Sequence, residues 1–187
     1  MRDYLKTFNI LTDDEINIFE KKVVLKKLNK GDFFIKEGQV SKEVGFVISG
    51  LLRSFYHSSS SEEVTYCFTF SNSFVSAYSS FLSQEKTAEN IQALTTIELL
   101  TISKDEILKL EKSSTNWLRF FKFIAEQEYI KMEKRIFLLQ KENAKQRYHD
   151  LLTNQPKLLQ LIPLNFLASY LGITQRHFSR IRKSTSI

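Results

Sequence analysis

Ile162 to Lys183 reads IPLNFLASYLGITQRHFSRIRK, and the rest of the chain is organised around it. Leu164 to Leu171 supplies one short helix, with Leu164, Leu167, Ala168 and Leu171 at helical spacing on one face. Gly172 follows directly, where a chain leaving a helix often takes a positive φ. Ile173 is expected beneath the turn, and Thr174 is suited to cap a second helix running to Lys183. In that helix Phe178 and Ile181 point inward, leaving Gln175, Arg176, Ser179, Arg180 and Lys183 for solvent or a partner. Ala168, a small residue four before the turn glycine, lets two helices cross closely. Such a pair is either an ordinary antiparallel cap on a domain or a DNA-binding helix-turn-helix. Charge separates the two readings. Residues 155–187 hold Lys157, Arg176, Arg180, Arg182 and Lys183 and no acidic residue. Those five cations, set against +6 for the whole chain, leave +1 for residues 1–154. Positive charge concentrated on one element is what a phosphate-binding surface requires, so the helix-turn-helix is the stronger reading.

The 187 residues allow one or two domains with real cores, and 42% hydrophobic with 26% charged residues is ordinary for a soluble protein. No run of 18 or more apolar residues exists, so no membrane association is expected. The start, MRDYLKTFNILTDDE, lacks the uninterrupted apolar stretch of a signal peptide, and a cytoplasmic location is expected. Cys67 is the one cysteine and sits in an apolar run, so it reads as a small buried hydrophobe rather than a reactive thiol or metal ligand.

Thr12-Asp13-Asp14-Glu15 has the form of a capping box and predicts a short helix from about residue 13. The period then changes. Val23 to Leu28, Phe33 to Ile35, Phe46 to Ile48, Leu51 to Tyr56, Glu63 to Phe70, Ile91 to Leu94 and Ile97 to Ile102 are strand-length runs. Turn signals separate them, among them Asn29 to Asp32, Ser49-Gly50, four serines at 58–61 and Ser71-Asn72-Ser73. Short strands at this spacing predict an antiparallel sandwich or barrel, with Ser76 to Leu82 the one stretch between them long enough for a helix.

From Lys104 the pattern is helical: Lys104 to Leu110, then a long helix from Asn116 to about Glu142, then Asn143 to Gln155 before Pro156. On the long helix Phe121, Ala125, Met132, Ile136 and Leu139 form one stripe. Phe120, Phe123, Ile130, Phe137 and Leu138 form another about 200° away. Two apolar stripes need two partners. One is the strand domain, and spacings of four, seven, four and three suit a second copy of the helix, predicting a homodimer. The domain boundary is expected near Lys141, with residues 1–141 as one domain, including the dimer helix at about 116–141, and residues 142–187 as the helix-turn-helix domain.

Strands, long helix and helix-turn-helix, in this order, resemble the Crp/Fnr family of bacterial transcription regulators. The motifs that carry the resemblance are Lys30-Gly31-Asp32 through Gly38, the Phe46-Val47-Ile48-Ser49-Gly50 strand-turn and the final LASYLGITQRHFSRIRK. The resemblance implies an α+β chain with a cyclic-nucleotide-binding-type β-roll of antiparallel, jelly-roll (double-stranded β-helix) form. Flanking helices, a long dimerisation helix and an all-α C-terminal domain complete it. It also implies a sensor that reorients a pair of recognition helices on double-stranded DNA, and it allows RNA polymerase and a small-molecule effector of unknown identity as partners. Base contacts would fall to Gln175, Arg176 and Arg180, with Thr174 and Ser179 suited to phosphates, His177 to phosphate or base, and Arg182 and Lys183 to the backbone. Arg can pair bidentately with guanine and Gln with adenine, which fits.

Two departures from the family pattern matter. Members that bind cyclic AMP carry a Gly-Glu pair in a phosphate-cradling turn, and an Arg-Ser-Ala on the next strand. The matching stretches here are Phe74-Val75-Ser76-Ala77 and Thr87-Ala88-Glu89. Ala77 stands for the Glu and Thr87 for the Arg, so Ser76, Ala77, Thr87 and Ala88 form a degenerate pocket. Desolvating a phosphate without a counter-charge costs several kcal/mol, so cyclic AMP binding in the family's manner is not expected. The second departure is at the C-terminus, where Ile187 follows Lys183 by four residues and leaves no room for the two-stranded wing of many members. Backbone contacts would then draw also on the region of Lys141 and Lys145.

No enzyme, cofactor or metal site is expected. A cupin-type metal enzyme needs clustered histidines, whereas His57, His149 and His177 lie in three different segments. No glycine-rich phosphate loop or nucleophile elbow is present, and adjacent Glu62 and Glu63 on a strand point to opposite faces. The competing reading is a β-roll regulatory or protein-interaction module that does not bind DNA specifically.

Overall fold

The computed structural model describes residues 1–185. They fall into two compact units: residues 1–56 with 68–125, and residues 57–67 with 126 onward. The division between these units falls inside the long helix, at residues 125–126. The second half of that helix is grouped with the C-terminal helices, and so is the hairpin at 57–67.

The first unit begins with α1 (Arg2–Lys6) and α2 (Asp13–Glu20). The capping box forms as expected: the Thr12 hydroxyl accepts from Glu15 N, and Glu15 Oε2 accepts from Thr12 N at 2.8 Å. Strands β1 (Val24–Leu28), β2 (Phe33–Ile35), β3 (Glu43–Ser49), β4 (Leu52–His57), β5 (Glu63–Thr69) and β6 (Ser73–Val75) follow. After α3 (Tyr78–Ser83) come β7 (Glu89–Ala93), β8 (Ile97–Ser103) and α4 (Lys104–Ser113). The strands make two four-stranded sheets, ordered β1-β8-β3-β6 and β2-β7-β4-β5. Neighbouring strands pair antiparallel, for example Gly45 with Thr101 and Ser54 with Ile91. This is the expected antiparallel β-roll.

One core lies inside the roll and includes Phe34, Val47, Leu52, Ile91, Ile97 and Leu99. A second lies under the helices, where Leu5, Ile16, Phe19, Phe81, Leu110, Trp117 and Phe120 pack together. Fully burying a side chain of this size stabilises by about 1.5–3 kcal/mol. Gly50 turns β3 into β4 at φ +101, and a Cβ there would stand 2.4 Å from Thr96 O, so only glycine fits.

Two local readings are corrected, and one helix lies where none is expected. Ser73 was read as turn but opens β6, because Asn72 alone takes the left-handed conformation (φ 60) and the chain pairs again at once with β3. Helix α1 carries no strong periodic signal and was not anticipated. Pro156, expected only to stop the helix before it, itself starts α7 (Pro156–Leu161): proline at the first helical position gives up an N–H that has no helical partner there.

The long helix is α5 (Thr115–Lys141), followed by α6 (Ala144–Asn154) and α7. Helices α8 (Leu164–Tyr170) and α9 (Gln175–Thr185) then make the predicted pair. The second unit buries Tyr148, Leu151, Leu158, Ile162, Leu167, Ala168, Leu171, Phe178 and Ile181. The Lys157 side chain and the end of the chain at Ile187, with the expected absence of a wing, lie outside the described residues.

Candidate nucleic-acid interface and effector cradle

The turn between α8 and α9 is built as the spacing predicts. Gly172 takes φ +67; its N–H reaches Ser169 O at 3.0 Å, and Ile173 N reaches Ala168 O at 3.0 Å. This paired pattern is a Schellman motif and satisfies carbonyls the helix end leaves open. Thr174 then caps α9, its hydroxyl accepting from His177 N at 3.2 Å. Phe178 is fully buried and meets the Tyr148 ring edge-on at 5.4 Å, with Ile181 buried one turn on. Burying that face fixes which residues face outward. Thr174, Gln175, Arg176, His177, Arg180, Arg182 and Lys183 are all exposed. Ser179 is half-buried and turns its hydroxyl back to Gln175 O at 3.0 Å, so the group expected to meet phosphate is engaged within its own helix. No acidic side chain lies on α9 to oppose this row of cations.

The end of α8 is also held from outside the pair. Ser169 Oγ accepts from Thr65 N at 2.8 Å and donates to Glu63 O at 3.0 Å. The guanidinium of Arg135 on α5 lies 3.6 Å from the Tyr170 ring centroid and donates to Tyr170 O. Burial pulls the Arg135 guanidinium below its ordinary pKa, opposed by Tyr170. Burial raises the Tyr170 phenol, with Arg135 pulling the other way. Sequence reasoning missed all of these contacts.

The residues expected to form a degenerate pocket, Ser76, Ala77, Thr87 and Ala88, lie in the first unit. Ala77 is fully buried and leads α3, its carbonyl accepting from Phe81 N at 2.8 Å. Ser76 Oγ bonds Ser41 Oγ at 3.2 Å and Glu43 O at 3.1 Å. Ser80 Oγ accepts from Ser41 N at 3.0 Å, and Gln84 Nε2 donates to Ser41 O at 3.1 Å. Thr87 is buried, with its hydroxyl accepting from Glu89 N at 3.1 Å, while Ala88 is exposed. The polar groups of this segment are therefore bonded within the chain itself. An open groove of about 610 Å³ nearby is lined by Phe34, Ile35, Gln39, Val40, Ser41, Lys42, Glu43 and Ser103, with no arginine among them.

On α5 the first stripe divides. Phe121 stacks on Trp117 at 5.6 Å and belongs with the first unit's core, and Ala125 is half-buried. Met132 (61%) and Ile136 (47%) are exposed, and Leu139 is half-buried beside Gly172. Tyr129, which the sequence reading left out, is exposed at 67% and completes a four-three alternation through 125, 129, 132, 136 and 139. That spacing was available in the sequence. Of the second stripe Phe120 is buried in the core, while Ile130 and Phe137 are exposed.

Cys67 is half-buried rather than buried. Among the described residues no cluster of His, Cys, Asp or Glu is arranged to hold a metal, and no helix is long and apolar enough to cross a membrane.

Residues 25–114 match the family model described as a cyclic nucleotide-binding domain. No curated protein sequence matches the chain. Among solved structures, FixK2 from Bradyrhizobium japonicum is similar at a TM-score of 0.77 and 15% identity, over 87% of this chain and 83% of that one. The c-di-GMP-responsive global regulator CLP of Xanthomonas campestris is similar at 0.74 and 18%, over 93% and 91%. The catabolite activator protein of Thermus thermophilus is similar at 0.61 and 18%, over 94% and 84%. At these identities the likeness is one of fold: a cyclic-nucleotide-binding-type roll, a long helix and C-terminal helices in the same order.

Proposed function

We propose that the chain is a DNA-binding transcription regulator of the Crp/Fnr type, working in the cytoplasm as a homodimer. The observation that carries this reading is α9, whose apolar face is buried through Phe178 and Ile181 while Gln175, Arg176, Arg180 and Lys183 face outward. An exposed basic helix presented behind a tight turn suits the major groove. Gln175, Arg176 and Arg180 read base edges; Thr174, His177, Arg182 and Lys183 meet the backbone. The exposed Tyr129, Met132 and Ile136 support pairing of α5 with a second copy. The first unit senses an effector other than cyclic AMP held in the usual way, because Ala77 and Thr87 supply neither the carboxylate nor the cation. Transmission to RNA polymerase is the expected output.

Selection of bound sequences from random DNA tests this. The expected result is a palindrome, with affinity falling steeply between about 50 and 200 mM salt as counterions are displaced. Sedimentation at micromolar concentration should show a dimer. Salt-insensitive binding without sequence preference would instead support a β-roll interaction module.

A further inference from the structure

Ser169 and Tyr170 lie at the end of α8, away from the proposed base readers, and both bond to residues far along the chain. Strand β5 stands last in the sheet order β2-β7-β4-β5, at an edge of the sheet. Ser169 Oγ fills part of that edge with two bonds, accepting from Thr65 N (2.8 Å) and donating to Glu63 O (3.0 Å). Alternate residues of a strand present their backbone groups to the same side, which is why one hydroxyl bridges residues 63 and 65. The next residue is held to α5: the Arg135 fork bonds the Tyr170 carbonyl and its plane covers the Tyr170 ring at 3.6 Å. One turn further along α5, Leu139 Cδ2 lies 3.6 Å from where a Cβ on Gly172 would stand. Arg147 Nη1 donates to Leu139 O at 2.9 Å and fastens the start of α6 to the same turn. All of these residues belong to the second unit.

We propose that Arg135 and Ser169 are positioning residues for DNA recognition, fixing the helix-turn-helix against α5 and the β5 edge and thereby setting the half-site separation a dimer reads. The proposal rests on the reading of the chain as a dimeric DNA-binding regulator. The exposed Tyr129, Met132 and Ile136 lie on the same half of α5 as Arg135. A helix-turn-helix fastened to that half has a set distance from the pairing seam, and recognition helices in a dimer must reach grooves one helical turn apart, roughly 34–36 Å. The pair is also connected to α5 along the chain, through α6 and α7. Removing the ties frees the separation of the two helices, whereas Gln175, Arg176 and Arg180 on α9 keep their contacts within each half-site.

The test measures affinity of the full chain for its selected palindrome, and for the same half-sites moved apart by half a helical turn. The wild-type chain discriminates between these two spacings. Ser169→Ala and Arg135→Ala should each reduce that discrimination by about tenfold, which is about 1.4 kcal/mol, with base preference inside the half-site unchanged. Arg135→Lys keeps the charge but loses the flat fork, so it should fall between Arg135→Ala and wild type. Thermal melting monitors folding, and Ser169→Ala, the loss of one hydroxyl, serves if Arg135→Ala is unstable. A palindrome selected by the wild-type chain, with spacing discrimination intact in both alanine variants, overturns the proposal alone. Equal loss of affinity on every DNA also overturns it, since that marks a merely structural role. A wild-type chain that selects no sequence removes the underlying reading and the proposal with it.

Discussion

The segment from Ser76 to Thr87 and the α8–α9 pair differ in what their polar groups face. Around Ser76 to Thr87 the hydroxyls and amides are turned onto Ser41, Glu43 and neighbouring backbone, and Ala77 is packed away from solvent. Along α9 the apolar residues are buried, and Gln175, Arg176, Arg180 and Lys183 have no side-chain partner among the described residues. A group already bonded to its own chain must break that bond to meet a ligand, while an exposed cation loses only water and counterions. The contrast separates a segment that maintains the fold from one available for recognition.

The contrast can be broken most severely at Phe178. Phe178→Ala should destabilise the second unit by about 3–5 kcal/mol, because a fully buried ring leaves a cavity. Circular dichroism on heating should show helical signal lost early, together with DNA binding. Arg180→Ala should leave folding intact and weaken discrimination at a single base pair by about 1–3 kcal/mol. Binding measured across single-base variants of the palindrome checks this, and equal loss on every variant would make Arg180 a phosphate contact.

On the other side of the comparison, Ala77→Glu introduces a carboxylate at a site with no exposed surface. It should lower stability by at least about 1–3 kcal/mol through overpacking and the burial of an unpaired carboxyl, read as a lower Tm. Neither this variant nor the wild-type chain should bind cyclic AMP in a calorimetric titration, since Thr87 still supplies no counter-charge.

The smallest effect is expected at Glu15, which joins α2 to the start of α5. Burial pushes its pKa up, but hydrogen bonds from Ser114 Oγ (2.5 Å), Thr12 N and Asn116 Nδ2 outweigh this and hold it below the ordinary value. A carboxylate with a depressed pKa contributes stability above its unfolded value of about 4.3, and that contribution is lost as pH falls through the folded value. Glu15→Gln should therefore lower stability by about 1 kcal/mol near neutral pH. The difference from wild type should shrink in acid, as denaturant titrations at several pH values would register.

Much of this molecule was legible from local pattern. The switch from two-residue to helical periodicity near Lys104 separated strands from helices, and β2 was read to the residue. The Thr12 capping box and the Gly172 turn followed from side-chain chemistry that acts within four residues. What failed was also local. Pro156 carries two meanings, breaker or first helical residue, and only the packing of Leu158 chose between them. Tyr129 was overlooked because an aromatic with a polar tip scores poorly as a stripe residue, although its position completes the stripe.

By itself, the sequence determined most of the elements and their apolar faces, the concentration of cations at the C-terminus, and the lack of a carboxylate at Ala77 and of a cation at Thr87. Each of these depends on residue type or on spacing along one helix or strand. Only the tertiary structure decided what lies against the outer side of α8. Ser169 bonds Glu63 and Thr65 across 106 and 104 residues of chain, and Tyr170 takes Arg135 across 35. Periodicity tells which side of a helix leaves water. The identity of the group it meets depends on distant segments folding to the same place, and no local pattern carries that information.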